Sequence, residues 1–244
     1  MSFKFELHCH TAETSYCASC KAEDSVAMLK SGGYDGVAIT NHYYGDWFAT
    51  RKEEKTWEEK INAWLTSYRL AKETGDKIGL SVILGAEFGF DYFPANHFLC
   101  YGMDEEFFFE YPELYKYTPE DFFKLANKKG FFFCQAHPQR AQKPENPKFL
   151  HGMEFYNTHG NNRDEITYET IKQNNLVGTV GSDFHHKNQF GKTAVLLSEL
   201  ATDSKELAKL LHKNKIDGYI IKSEDITKIP EVFHKDKRFK LETL

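Results

Sequence analysis

Five short apolar segments of this chain each end in a side chain able to bind a metal ion. FKFELHCH delivers His8 and His10, GVAIT leads to Asn41 and His42, and SVILGAE delivers Glu87. FFFCQAH delivers His137, and VGTVGSDFH delivers Asp183 and His185. Apolar runs of this length, rich in β-branched and aromatic residues and bounded by turn formers, read as strands. If all five are strands of one sheet, their C-terminal ends bring imidazoles and carboxylates to one place.

The segments between them read as helices, so strand and helix alternate along the chain. A helix is expected at about 21–31, closed by Gly32-Gly33, and a long one ends near Thr74. Thr118-Pro119-Glu120-Asp121 combines a capping residue, Pro in the first turn and acids at the positive dipole end, and that helix stops at Gly130. HFLCYG, GMEFYN, KTAVLLS and DGYII are further strands, with helices near 162–175 and in SKELAKLLHKN. This βα alternation implies a mainly parallel sheet covered by helices. The number of strands favours an α/β barrel over an open sheet, as one domain over residues 1–244, with 233–244 as a charged C-terminal tail. In such barrels the active site lies on the face made by strand C-terminal ends, where the metal-binding side chains fall.

Bulk properties narrow the function. A length of 244 residues suits one large domain, and 41% hydrophobic with 27% charged residues is ordinary for a globular protein. A formal net charge of -5 offers no whole-chain basic field, so nucleic acid is not the expected partner. No apolar run approaches the roughly 20 residues needed to cross a bilayer. The N-terminus enters FKFEL without a signal pattern, so a cytoplasmic protein is expected. Five cysteines, an odd number, argue against a secreted disulfide framework. Cys17 and Cys20 form a C-x-x-C without a second pair, and read as small loop residues, a redox pair or ligands. His151, His212 and His234 read as surface residues.

Alternation along a strand puts His8 and His10 on one face, where both can reach one cation. Histidine with carboxylate suits zinc, manganese or iron, and not calcium. HCHT, ITNH, GAE, AHP and GSDFH, in this order over roughly residues 5 to 222, resemble the motifs of the PHP (polymerase and histidinol phosphatase) superfamily. The resemblance implies a distorted (β/α)7 TIM-like barrel, two or three divalent ions (zinc, manganese or iron) and phosphoester hydrolysis, here of a small phosphomonoester. Carried over by position, it implies that His8, His10, Glu87 and Asp183 hold a first metal, Glu87 bridging to a second completed by His97 and His137. His42 and His185 would hold a third. Many members carry an acid where this chain has Ser15, and Asp where it has Asn41. Glu13 is the nearest carboxylate able to serve the third site, with Cys17 a softer alternative.

Two cations about 3.5–4 Å apart can share a water and make it hydroxide near neutral pH, ready for in-line attack on phosphorus. Glu87 and Asp183 are then catalytic as well as ligating. Arg140 would grip the phosphate with its planar fork, and His159 and His186 are further candidates to touch substrate or leaving group. The same ligand chemistry also fits an amidohydrolase-type deaminase or a nuclease. A non-catalytic metal-binding module is a third reading.

Overall fold

The computed structural model describes residues 1–92, 95–138, 140, 145–158 and 164–244. Their strands and helices follow the alternating order: β1 (Phe3–Cys9), α1 (Ala22–Ser31), β2 (Gly36–Ile39), β3 (His42–Tyr44), α2 (Gly45–Thr50), α3 (Trp57–Ile78) and β4 (Ser81–Gly89). Then come β5 (His97–Tyr101), α4 (Glu105–Glu110), α5 (Pro119–Lys129), β6 (Phe132–Gln135), β7 (Gly152–Asn157), α6 (Asp164–Asn174) and β8 (Val177–Gly181). The chain finishes with β9 (Thr193–Leu197), α7 (Ser204–His212), β10 (Ile216–Ser223), α8 (Glu231–Lys235) and β11 (Phe239–Thr243).

One sheet carries the strands in the order β11-β10-β9-β1-β2-β4-β5-β6-β7-β8, with β3 added beside β4. It curls until the segment after β8 lies against β1. There Phe184 bridges Cys9, with His10 N donating to Phe184 O (2.9 Å) and Phe184 N donating to His8 O (3.0 Å). The architecture is a curled half-barrel compatible with a distorted TIM-like barrel. The expected parallel sheet is interrupted at β5 and β9, each antiparallel to both neighbours. β5 returns from β4 directly, without a covering helix, so His97 at its start lies at the same end of the sheet as Glu87 at the finish of β4.

Local chemistry sets most element ends as expected. Thr118 caps α5 by accepting from Asp121 N, and Gly130 ends it in the left-handed region (φ 76°). Two expectations change. The long helix α3 runs past Thr74 to Ile78, because Gly75 serves as a contact and not as a stop. A Cβ there would come within 2.4 Å of Val82, so the missing side chain lets α3 pack closely on β4, and Gly79 (φ 70°) closes the helix instead. The expected charged tail at 233–244 includes the end of α8 and a strand. β11 extends the sheet in parallel with β10, Tyr219 opposite Phe239, and Phe233 and Phe239 stack at 4.7 Å. Alternation is the reason: Phe239 and Leu241 pack inward while Lys240 and Glu242 face solvent.

The Phe-rich segments build the core. Phe88, Phe90, Phe98, Phe122, Phe132 and Phe133 are buried together, and Phe107, Phe108 and Tyr115 of the EEFFFEYPELYKY run are buried as well. Among the described residues no helix is long and apolar enough to cross a membrane.

His151, expected on the surface, is half-buried, while His212 is exposed as expected, its ring 4.6 Å from that of His151. The Phe133 N–H donates to His151 Nδ1 (3.0 Å), and Nε2 lies 3.0 Å from Asn127 Oδ1, so the ring is held neutral with its proton on Nε2. Burial, and then His212, lower its pKa from 6.5 to about 4. The folded state therefore binds fewer protons than the unfolded chain between these values, and this contribution to stability is lost as pH falls from about 6.5 towards about 4. Denaturant midpoints of wild type and His151→Asn should converge over that range. A gap independent of pH would contradict the assignment.

Candidate metal centre

β1 presents Glu6 and His8 on one buried face, and His10, the residue just past its end, is buried as well. β3 lies beside β4 with His42 opposite Glu87, which places an imidazole next to a carboxylate, and Tyr44 follows two residues later on the same side. His137 comes two residues after β6, and Asp183 and His185 follow β8. All these positions are at one end of the sheet.

Glu87 is the hub. Its Oε1 lies 3.0 Å from His97 Nδ1, 3.1 Å from His137 Nε2 and 3.5 Å from His8 Nε2. Its Oε2 lies 3.0 Å from His42 Nε2 and 3.4 Å from His10 Nε2, and accepts from Tyr44 Oη at 3.0 Å. Asp183 Oδ1 forms a second hub, 3.3 Å from His8 Nε2, 3.2 Å from His10 Nε2 and 3.2 Å from His185 Nδ1. Among the described residues, four sets of three have ligand atoms mutually within 4.8 Å: His8-His10-Glu87, His8-His137-Asp183, Glu87-His97-His137 and His10-His42-His185. Both carboxylates are 1% exposed, so a compact group of nitrogen and oxygen donors sits largely out of water.

The hydrogen bonds behind the cluster decide which nitrogens face into it. His8 Nδ1 lies 3.1 Å from Glu154 Oε1, an acceptor, so Nδ1 carries the proton and Nε2 turns a lone pair inward. For His10 the argument runs through Asn41. Asn41 Oδ1 accepts from Thr11 N and from Ser15 Oγ (2.9 Å each), which uses the one proton of the Ser15 hydroxyl. The His10 Nδ1 contact to Ser15 Oγ (3.1 Å) must then be donated by His10, and its Nε2 too is a lone pair. Ser15 and Asn41, the two departures from the family pattern, are thus one hydrogen-bonded pair that fixes the His10 tautomer. The two Nε2 atoms meet at 3.1 Å. Facing lone pairs repel, and a proton or a metal ion between them removes the conflict.

The electrostatics agree. Burial opposes charge on His8, yet Asp183 and Glu154 raise its pKa well above the usual imidazole range. Burial, with His42 and His185 nearby, holds His10 well below it. Burial alone would raise Glu87, but His97, His137, His42 and His8 outweigh it and keep the carboxyl ionised. Asp183 is likewise held down, against burial, by His8, His10 and His185. Despite opposing burial, His42 rises to about 9 and His185 to about 10, while Cys17 falls to about 6 against those two imidazoles.

Two cluster residues have left-handed backbones, His137 (φ 30°) and Asp183 (φ 51°). Such conformations cost about 1–3 kcal/mol and persist where surroundings impose them. At His137 the restraint is visible: its N–H donates to Glu154 Oε2 (3.0 Å). Glu154 also accepts from Asn157 Nδ2 (2.9 Å), and Gly181 leaves room for it, since a Cβ there would lie 2.1 Å from Glu154 Oε1.

Of the residues expected at the site, the structure brings together His8, His10, His42, Glu87, His97, His137, Asp183 and His185, with Arg140 paired to Asp183 by its guanidinium. Glu13 is a correction. Both its carboxylate oxygens accept from Ala22 N (3.1 Å), at the start of α1, where the helix dipole favours an anion, and it does not join the cluster. Cys17 is beside it instead, Sγ 3.8 Å from His42 Nδ1. His186 stands next to the cluster, its ring 6.2 Å from that of His185 and its Nδ1 2.8 Å from Ser19 Oγ. His159 lies outside the described residues. Sequence reasoning missed Glu154 and Tyr44. An acid inside the otherwise apolar strand GMEFYN was a usable signal for Glu154, whereas Tyr44 looked like any aromatic.

No protein-family model and no curated protein matches this sequence. Solved structures do. A two-domain protein from Bacteroides vulgatus containing a predicted PHP-like metal-dependent phosphoesterase superposes with a TM-score of 0.61 at 18% identity, over 90% of this chain and 66% of that one. The lesion-specific endonuclease EndoQ of Pyrococcus furiosus gives 0.60 at 14% identity, over 93% of this chain and 60% of that one. An amidohydrolase from Chromobacterium violaceum gives 0.54 at 11% identity, over 87% and 96%. The chain thus has the fold of the PHP-like phosphoesterases that its motifs resemble, and spans under two thirds of the first of these proteins.

The donor set fits borderline transition metals: imidazole nitrogens with bridging-capable carboxylates. A carboxylate behind a ligating histidine typically tunes metal affinity 10–100-fold. Glu154→Gln should therefore weaken divalent-metal binding by roughly 10–100-fold in competition with a chromophoric chelator, while far-ultraviolet dichroism stays native. Unchanged affinity would show that Glu154 plays no part in ligation.

Proposed function

We propose that the chain is a PHP-superfamily hydrolase that cleaves a small phosphomonoester, such as a nucleotide or another phosphorylated metabolite, with two or three divalent ions bound. The observation that carries this reading is Glu87, whose two oxygens touch five imidazoles drawn from β1, β3, β5 and the segment after β6. A carboxylate so surrounded is built to bridge cations. His8, His10, Glu87 and Asp183 would hold the first ion, Glu87, His97 and His137 the second, and His42 with His185 the third. When bound, the ions supply Lewis acidity and a water activated near neutral pH.

The chain's own residues do the rest. Tyr44 Oη donates to Glu87 and fixes the rotation of its carboxylate. Arg140, half-buried and reaching Asp183, can turn its remaining donors to an anion beside the cluster, so it orients the phosphate. The net charge of -5 supports a small anionic substrate over a long polyanion. The names of the endonuclease and amidohydrolase neighbours keep nuclease and deaminase action as the competing readings.

A panel of phosphomonoesters assayed with Mn²⁺, Fe²⁺ or Zn²⁺ separates them. Phosphate release is expected, falling by orders of magnitude in Glu87→Ala and His137→Ala, while Arg140→Ala chiefly raises KM. Fully metallated protein that turns over no phosphomonoester, and instead nicks DNA or releases ammonia from nucleosides, would contradict the proposal.

A further inference from the structure

We infer that Cys17 is a thiolate ligand of the third cation, and that this site therefore prefers a thiophilic divalent ion such as zinc to manganese or magnesium. The inference rests on the reading of the cluster as a metal centre and concerns its outermost part.

The loop joining β1 to α1 is fastened at several points. Ser15 N and Ala18 N close turns on Thr11 O and Ser15 O (2.8 Å each), and Ser19 N donates to His185 O (2.9 Å). Fastened in this way, the loop sets Cys17 at the mouth of the cluster, exposed to solvent. Its Sγ lies 3.8 Å from His42 Nδ1 and also reaches the His185 side chain. In a tetrahedral zinc site with Zn–S of ~2.3 Å and Zn–N of ~2.1 Å, sulfur and nitrogen are ~3.6 Å apart. The observed separation is close to that of two ligands sharing one ion. Independently, ligand atoms of His10, His42 and His185 gather within 4.8 Å of one another.

The other donors of the loop are committed elsewhere. Glu13 accepts from the first N–H of α1, and the Ser15 hydroxyl donates to Asn41 while accepting from His42 N (3.2 Å). Cys20 is buried. A thiolate in place of a carboxylate softens the site, and soft ligands select zinc or iron over manganese and magnesium.

Cobalt(II) tests this directly, because a thiolate bound to cobalt gives an intense near-ultraviolet charge-transfer band that histidine and carboxylate do not. Titration of the full chain with Co²⁺ should develop that band as the last equivalent binds. Cys17→Ser should lose the band and bind one cation fewer, whereas Cys20→Ser keeps both. Cys17→Asp should recover the cation without the band and shift the preference towards manganese. Full cobalt loading of wild type without the band, or a band unchanged in Cys17→Ser, would overturn the inference and leave the metal centre standing. Failure to bind any cobalt would refute the metal centre itself, and this inference with it.

Discussion

Two imidazole nitrogens brought together across 3.1 Å in a buried space, where only a proton or a metal ion between them makes the contact attractive, are the constraint around which the rest is arranged. With both rings neutral the contact would be repulsive. Here it is enforced from behind, by Glu154 on His8 and by the Ser15–Asn41 pair on His10. Both restraints are themselves buried, and neither ring can flip away without breaking a hydrogen bond. Two carboxylates, Glu87 and Asp183, stand on either side. The arrangement calls for positive charge between the two nitrogens, supplied by a proton or by a cation, as a preorganised metal centre does.

The fold supplies the means. Curling the sheet brings the segment after β8 against β1, and that junction carries Asp183 and His185 to the histidines of β1. The antiparallel insertion of β5 does the same for His97. Left-handed backbones at His137 and Asp183 show local strain being accepted where side chains must be aimed. The Phe-rich core packs these strands together.

Much of this was legible in the sequence, because strand period and strand ends leave direct marks. His8 and His10 are two apart at the end of one strand, and Glu87 and Asp183 end apolar runs. The metal centre's inner residues follow from those facts together with the motif order. What could not be read depends on contacts made through space. Glu13 was a candidate ligand because it is the nearest acid to the position that Ser15 occupies, but its carboxylate accepts from the start of α1 instead. The long helix was expected to end near Thr74, and it continues because Gly75 packs against Val82 across an interface that the local sequence does not reveal. The last twelve residues looked like a tail because their charged residues hide an alternating strand. Glu154 shows the reverse case: an acid in an apolar strand is visible in sequence, but its partner, His8, is 146 residues away.

The central claim is that the facing nitrogens of His8 and His10 exist to hold a cation between two carboxylates. Anomalous X-ray diffraction from crystals grown with Mn²⁺ or Zn²⁺, recorded on both sides of the metal edge, tests it most directly. The account predicts two or three anomalous peaks, one within bonding distance of Nε2 of both His8 and His10 and another bound to Glu87 opposite it. Crystals of metal-supplied protein with no anomalous density in contact with Glu87, and the His8–His10 contact unchanged, would contradict it.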